Sequence, residues 1–303
     1  MERQLKDTTI KNYNQQFNKF FKLLNKTNDY LINNSDDVIK FIAKTYPNIG
    51  TQKTILSSLL YELRDIKYDY FKNKNEAINN YKTIINNIAI QIKNNLSTNE
   101  KTLKQSENWD SWDNIVSIFN QKFDEIKFDL KHPNKLSYEK YNKIQTVIIL
   151  SFYIYHPPRR SEYRLIKLYN YNIDDDNYII PNDKIILNSY KTSDKKGEFN
   201  IDLKQNKKLN VILNDFIRLR TINNFKSDYL FVSDNDKLLD HSQLTKRINK
   251  LFDKNISISM LRKIYLSHHF GNKDNIDFTK KYLKAVNEMG TSITSSIQNY
   301  IKK

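Results

Sequence analysis

Apolar residues recur at helical spacing through the first hundred positions. Ile10, Tyr13, Phe17, Phe20, Phe21 and Leu24 fall on one face behind Thr8 and Thr9, either of which can cap a helix. Ser35-Asp36-Asp37 can start a second helix carrying Val38, Ile39, Phe41 and Ile42. Pro47 and Gly50 then interrupt the pattern. Ile55, Leu59, Leu60 and Leu63 mark a third helix. Ile78, Tyr81, Ile84, Ile85, Ile88 and Ile92 mark a fourth, from about Asn75 to Leu96. Stripes of this width are expected to form a core.

The pattern fades over Ser97–Asn108, which holds Thr98, Lys101, Lys104 and Ser106 and almost nothing apolar, so a linker is expected at 98–106. Helical spacing returns over Trp109–Phe128 and Leu136–Tyr155, separated by His132-Pro133-Asn134. The second of these is apolar enough to be a central core helix. Period-two runs then replace the helical ones at Asn177–Pro181, Lys184–Asn188 and Glu198–Leu203, with turn residues at Asn182-Asp183 and Asp194–Gly197. They predict a small antiparallel sheet. Helices are predicted again at Lys207–Ile222, His241–Asp253, Ser259–His269, Asp277–Glu288 and Ser292–Ile301. The expected architecture is mainly α with a small antiparallel β-sheet, in an N-terminal helical domain (1–97) and an α+β domain (107–303).

Composition narrows the function. Fifty Lys and Arg against 34 Asp and Glu leave a net charge of +16, an electrostatic argument for a polyanionic partner such as nucleic acid. A bias toward Lys, Asn and Ile is also what an AT-rich genome produces. The chain has no cysteine, which excludes disulfides, thiolate catalysis and cysteine-ligated zinc. Its longest apolar run, Val147–Tyr155, is too short to span a bilayer, and the N-terminus lacks an apolar signal core. A protein that stays inside the cell, wherever its DNA lies, is expected. The five histidines show no metal-ligand spacing.

Cutting a phosphodiester with a side-chain hydroxyl requires a nucleophile, cationic groups on the non-bridging oxygens, and an acid for the departing oxygen. Arginine suits the clamp, because its planar fork matches phosphate and stays charged. Arg159 in Pro-Pro-Arg-Arg-Ser-Glu-Tyr and Arg262 in an otherwise apolar helix are candidates. Lys191 lies between them in a predicted hairpin, with Lys195 and Lys196 as rivals in the same turn. Tyr300 could attack and form a covalent phosphotyrosine that needs neither ATP nor a metal.

In this order the residues resemble the tyrosine recombinases of the integrase/Xer type. Arg159-Arg160-Ser161-Glu162 is similar to that family's Arg-x-Ser-Glu start. Ser189-Tyr190-Lys191-Thr192 falls where the family keeps a hairpin lysine. Ser259-Met260-Leu261-Arg262-Lys263 resembles its His-x-Leu-Arg-His box, and Met289-Gly290-Thr291 followed by Tyr300 resembles its Leu-Gly-His…Tyr ending. The match runs from Arg159 through Tyr300. The helical N-terminal region resembles the family's core-binding domain more weakly. The resemblance implies that Arg159 and Arg262 bind the scissile phosphate, Lys191 protonates the 5′ oxygen, and Tyr300 forms a 3′-phosphotyrosyl link. It implies a site-specific recombinase or integrase on double-stranded DNA, acting as a homotetramer without a cofactor, in the setting of a virus or mobile element.

Two positions depart from the family pattern. Ser259 stands where it has His, and Thr291 where it has His or Trp. Either hydroxyl can donate to a phosphate oxygen, but neither is a base near neutral pH. Loss of one acid–base group costs about 10²–10⁴ in rate. Lys263 could restore part of the charge. Lys101, Lys104, Lys246 and Arg247 are candidate DNA contacts. Thr51, Gln52 and Lys53 could seat a phosphate at a helix start. With the chain ending at Lys303, tetramer assembly is expected to use surfaces other than a tail. A strand transferase of the type IB topoisomerase or telomere-resolvase kind, and a catalytically weakened DNA-binding relative, remain open.

Overall fold

The computed structural model describes residues 5, 7–97, 100–271 and 276–302. The chain forms two compact units, Met1–Thr98 and Asn99–Lys303.

The first unit is helical. It contains α1 (Asp7–Leu24), α2 (Tyr30–Asn33), α3 (Ser35–Thr45), α4 (Ile49–Glu62) and α5 (Lys74–Ser97). The predicted stripes are its core: Phe20, Leu31, Val38, Leu59, Leu63 and Tyr81 are buried together. The Tyr81 hydroxyl donates to the Leu31 carbonyl at 2.6 Å, which ties α5 to α2. Asn48 caps α4 by accepting from the Thr51 N–H at 3.1 Å, and the Gln52 side chain donates to the Tyr46 carbonyl at 2.7 Å. Of the three residues considered for phosphate there, Thr51 and Gln52 are thus committed to the fold.

The second unit begins with α6 (Leu103–Asn108), α7 (Trp112–Lys131) and α8 (Tyr138–Tyr155). The expected linker is therefore partly a short helix, closed by a capping box between Thr102 and Gln105. Residues 98 and 99 of that linker lie outside the described residues. Helix α8 is the core element, with Ile144, Val147, Ile148, Ile149, Leu150 and Phe152 all buried. Each such side chain contributes roughly 1.5–3 kcal/mol relative to exposure. Gln145 lies in the same helix because its amide pairs with both backbone groups of Val232, accepting from N–H at 3.1 Å and donating to C=O at 2.8 Å.

A 3-10 turn (Ser161–Leu165) leads into β1 (Ile166–Lys167), β2 (Asn177–Ile180), β3 (Lys184–Leu187) and β4 (Phe199–Asp202), with α9 (Ser193–Lys196) between the last two. The sheet order is β1-β2-β3-β4. The three predicted strands form an antiparallel meander, with Ile179 opposite Ile185 and Ile185 opposite Ile201. The added β1 pairs with β2 in parallel, so the sheet is mixed. Two residues were too short a run to show alternation. Asn182 turns the first hairpin at φ 64°, a backbone conformation that asparagine tolerates.

Helices α10 (Lys207–Ile222), α11 (His241–Phe252), α12 (Ile258–Phe270), α13 (Ile276–Glu288) and α14 (Ile293–Asn299) complete the unit. A separate apolar cluster of Leu266, Phe270, Tyr282, Val286, Met289 and Tyr300 packs the last helices against α12. Among the described residues no helix is long and apolar enough to cross a membrane.

Candidate active site

Among the described residues three arginines are almost completely buried: Arg159, Arg220 and Arg262, each at 1% exposure. Burying a guanidinium is costly unless its N–H groups find acceptors. Arg220 finds them in one loop, donating to the carbonyls of Phe225, Ser227 and Tyr229. It is a structural arginine that holds the segment after α10.

Arg159 and Arg262 are different. Arg159 Nη1 donates to the Glu288 carbonyl at 2.7 Å, and Arg262 Nη2 to the Met289 carbonyl at 3.2 Å. The Nε–H of each is buried with no acceptor, as that of Arg220 also is, but each makes one hydrogen bond where Arg220 makes three. Among the described residues neither forms an ion pair with a carboxylate. Because their acceptors are consecutive carbonyls, the two heads converge on the C-terminal end of α13. Carbonyls at a helix C-terminus carry partial negative charge, which favours cations there.

The next two carbonyls continue the series. Gly290 O accepts from the Thr192 hydroxyl at 3.4 Å, and Thr291 O from Lys196 Nζ at 3.1 Å. Four successive carbonyls, 288 to 291, thus gather the 3-10 entry, α12 and the β3–β4 connection around one stretch of backbone. Gly290 sits at φ +63°, and a Cβ there would lie 2.8 Å from Arg159 Nη2. Its lack of a side chain lets the backbone approach the guanidinium.

Aromatic faces complete the setting. The Arg159 guanidinium carbon lies 4.7 Å from the Tyr190 ring centroid and 4.3 Å from that of Phe199. That of Arg262 lies 4.7 Å from the Tyr300 centroid. Cation–π contacts stabilise a charge that lacks an anion. Burial lowers the Arg262 pKa, the Tyr300 phenol and Glu162 oppose this, and the charges of Arg160 and Arg159 add to it. Glu162 is buried, with one carboxylate oxygen unpartnered. Burial, and then the charge of Arg159, hold His156 at a pKa of about 3, so its ring is neutral. Its Nδ1 lies 2.9 Å from the Tyr163 hydroxyl.

Of the predicted set, Arg159, Arg262, Thr291 and Tyr300 are brought together. Among the described residues Lys191 makes no hydrogen bond or ion pair with them, although its neighbours Tyr190 and Thr192 both touch the cluster. It is exposed, past the end of β3, in the connection before α9. Lys196 reaches the Thr291 carbonyl, and burial and then the Arg159 charge lower its pKa. Residues 193–196 coil into α9 instead of extending the hairpin, which brings the later lysine to the Thr291 carbonyl while leaving it exposed. Tyr300 is only 7% exposed, its ring packed in the terminal apolar cluster.

Ser259 is exposed on the first turn of α12 and lines a cleft with Lys104 and Lys263. Lys263 is half-buried, and burial, then the charge of Lys302, lower its pKa. Lys101 places its ammonium 4.7 Å from the Trp109 ring centroid. Lys246 is exposed, whereas Arg247 is half-buried and donates to the Tyr138 hydroxyl at 3.1 Å, a contact within the fold. Among the described residues no group of three or more His, Asp or Glu could hold a metal.

No family model matches this chain, and no curated protein matches it. Among solved structures it is similar to one described as the crystal structure of XerA recombinase, with a TM-score of 0.41 and 15% identity, covering 99% of this chain and 88% of that one. At that degree of overlap the likeness decides nothing about chemistry, and the side-chain arrangement stands on its own.

Proposed function

We propose that this protein cuts and rejoins double-stranded DNA through a 3′-phosphotyrosine on Tyr300. The observation that carries the reading is the pair Arg159 and Arg262. Both are buried, lack a carboxylate partner and make only one hydrogen bond each, beside the segment that ends in the tyrosine. A phosphate between them would supply the missing anion and acceptors.

In this mechanism the two guanidinium groups hold the non-bridging oxygens, where charge builds in the transition state. The Tyr300 phenol gives its proton to solvent water, its oxygen bonds to phosphorus as the bond to the 5′ oxygen breaks, and Lys196 gives that oxygen a proton. Rejoining reverses each step, so bond energy is conserved. The Thr291 hydroxyl would add a donor. With Tyr300 at 7% exposure, the attack requires the end of α14 to move outward when DNA binds. The first unit would grip the opposite face of the duplex, and four copies would assemble for exchange between two duplexes.

A suicide duplex nicked close to the cut site tests this. Wild type should form a covalent adduct that survives denaturation, and Tyr300→Phe should form none while binding the duplex equally well. An adduct that persists in the Phe variant would exclude Tyr300. The burial of Tyr300 favours one rival, a DNA-binding relative whose arginines hold phosphate without cleavage. Tight binding with no adduct in wild type would establish it.

A further inference from the structure

We infer that a groove between α7 and α10 is a docking site for an acidic, amphipathic segment of another protein. The groove lies outside the arginine cluster. Its floor is apolar, built from Leu130 and Ile212, which are buried, and from Phe123 and Tyr155, which are half-buried. Val211 stands in it at 59% exposure, with nothing covering it. Both ends are tied. Arg218 donates to the Lys131 carbonyl at 3.0 Å, joining α10 to the end of α7, and Asn206 donates to the Tyr155 carbonyl at 2.7 Å, joining the start of α10 to the end of α8. The walls are therefore held in place before anything binds.

The rim decides the occupant. Lys127, Lys131, Lys207 and Lys208 line the groove and are all exposed. Asp215 is the one carboxylate among its lining residues, and it is paired with Arg218 at 3.2 Å. Lys207 and Lys208 occupy the first turn of α10, where no acidic residue stands. Lysines at a helix N-terminus oppose the helix dipole. Two of them there weaken the helix and add to the positive field over the groove. An acidic ligand removes that conflict.

Apolar floor and basic rim together call for a ligand with both characters, which an amphipathic helix with acidic flanks supplies. Duplex DNA offers a charged backbone but nothing to cover Val211. A second copy of this chain is itself at +16, so the rim favours a partner of opposite charge over it.

The test is a fluorescence-polarisation titration of the full chain with a designed peptide of about 16 residues, leucines on one helical face and glutamates on the flanks. A scrambled peptide of the same composition is the control. The helical peptide should bind at least about tenfold more tightly than the scrambled one, and Val211→Asp should weaken it by about tenfold or more. Lys131→Glu with Lys207→Glu should weaken it too, and added salt should do the same to wild type. Val211→Asp should leave binding of a duplex oligonucleotide unchanged. The inference is overturned if scrambled and helical peptides bind alike, or if Val211→Asp leaves the peptide affinity intact. It is also overturned if Val211→Asp weakens duplex and peptide equally, which would make this face a nucleic-acid surface.

Discussion

Arg262 lies over the ring of Tyr300, its guanidinium carbon 4.7 Å from the ring centroid, while its Nη2 holds the Met289 carbonyl eleven positions earlier in the chain. The proposed nucleophile and one half of the proposed phosphate clamp are therefore in contact before any substrate arrives. In that contact the ring face, and not a carboxylate, shields the charge.

The three buried arginines should separate by what they support. Arg220→Met strips donors from three loop carbonyls, and at about 1–3 kcal/mol per orphaned group it should cost about 3 kcal/mol or more of stability. Arg159→Met and Arg262→Met each strip one carbonyl, at about 1–3 kcal/mol, and lose cation–π contacts, but each also removes a buried charge without an anion, so each should cost less than Arg220→Met. Adduct formation should fall about 10²–10³-fold or more in the latter two. Urea unfolding beside the suicide-duplex assay checks both halves.

Gly290→Ala should damage the site more than the fold. A left-handed backbone at an alanine costs about 1–2 kcal/mol. The new methyl carbon would press on Arg159 Nη2 from 2.8 Å, and the flexible head has to give way. Adduct formation should drop by about tenfold or more, since a misplaced clamp loses its alignment. Thermal unfolding should shift by only a few degrees.

Lys196 and Lys191 can be told apart chemically. Lys196→Met should slow cleavage of an ordinary duplex by about 10²–10⁴, the range for one acid–base group. A substrate with sulfur at the 5′ bridging position needs no proton on its leaving group and should restore the rate. Lys191→Met should leave both rates near wild type. Because burial and Arg159 lower the Lys196 pKa, its proton is lost at lower pH than from an ordinary lysine. The alkaline limb of the cleavage profile should accordingly fall below pH 10.5 and vanish in the Met variant.

Acid should find His156. Its folded pKa of about 3 lies below the 6.5 of an unfolded histidine, so the unfolded chain binds the extra proton between those values. Stability attributable to the neutral ring is complete above pH 6.5 and is lost as pH falls toward 3. Between pH 7 and pH 4 wild type should lose roughly 2–3 kcal/mol that His156→Gln does not lose, at 1.36 kcal/mol per unit. Urea titrations at the two pH values give the difference.

Much of this was legible in residue order alone. Helical stripes such as Phe20, Leu59 and Tyr81 were visible because one face is buried at a fixed period. The two site arginines stood out through their neighbours, Pro157-Pro158 for one and the apolar run of α12 for the other. The lysine was not legible. Lys191, Lys195 and Lys196 differ only in where a four-residue helical turn aims them, and that turn depends on contacts with residues 290 and 291. Nor did the chain disclose that Tyr300 would lie inward, because an aromatic suits a buried end and an active site equally well. The parallel strand β1 was too short to leave a pattern.

The run of carbonyls from 288 to 291 has one more consequence. Because successive peptide units anchor three distant parts of the second unit, none of those anchors can loosen alone: a twist of one peptide plane tugs on its neighbours' tethers. Single replacements at Arg159, Thr192, Lys196 and Arg262 should therefore combine non-additively, the second doing less harm than the first, as for bolts through a common hinge plate.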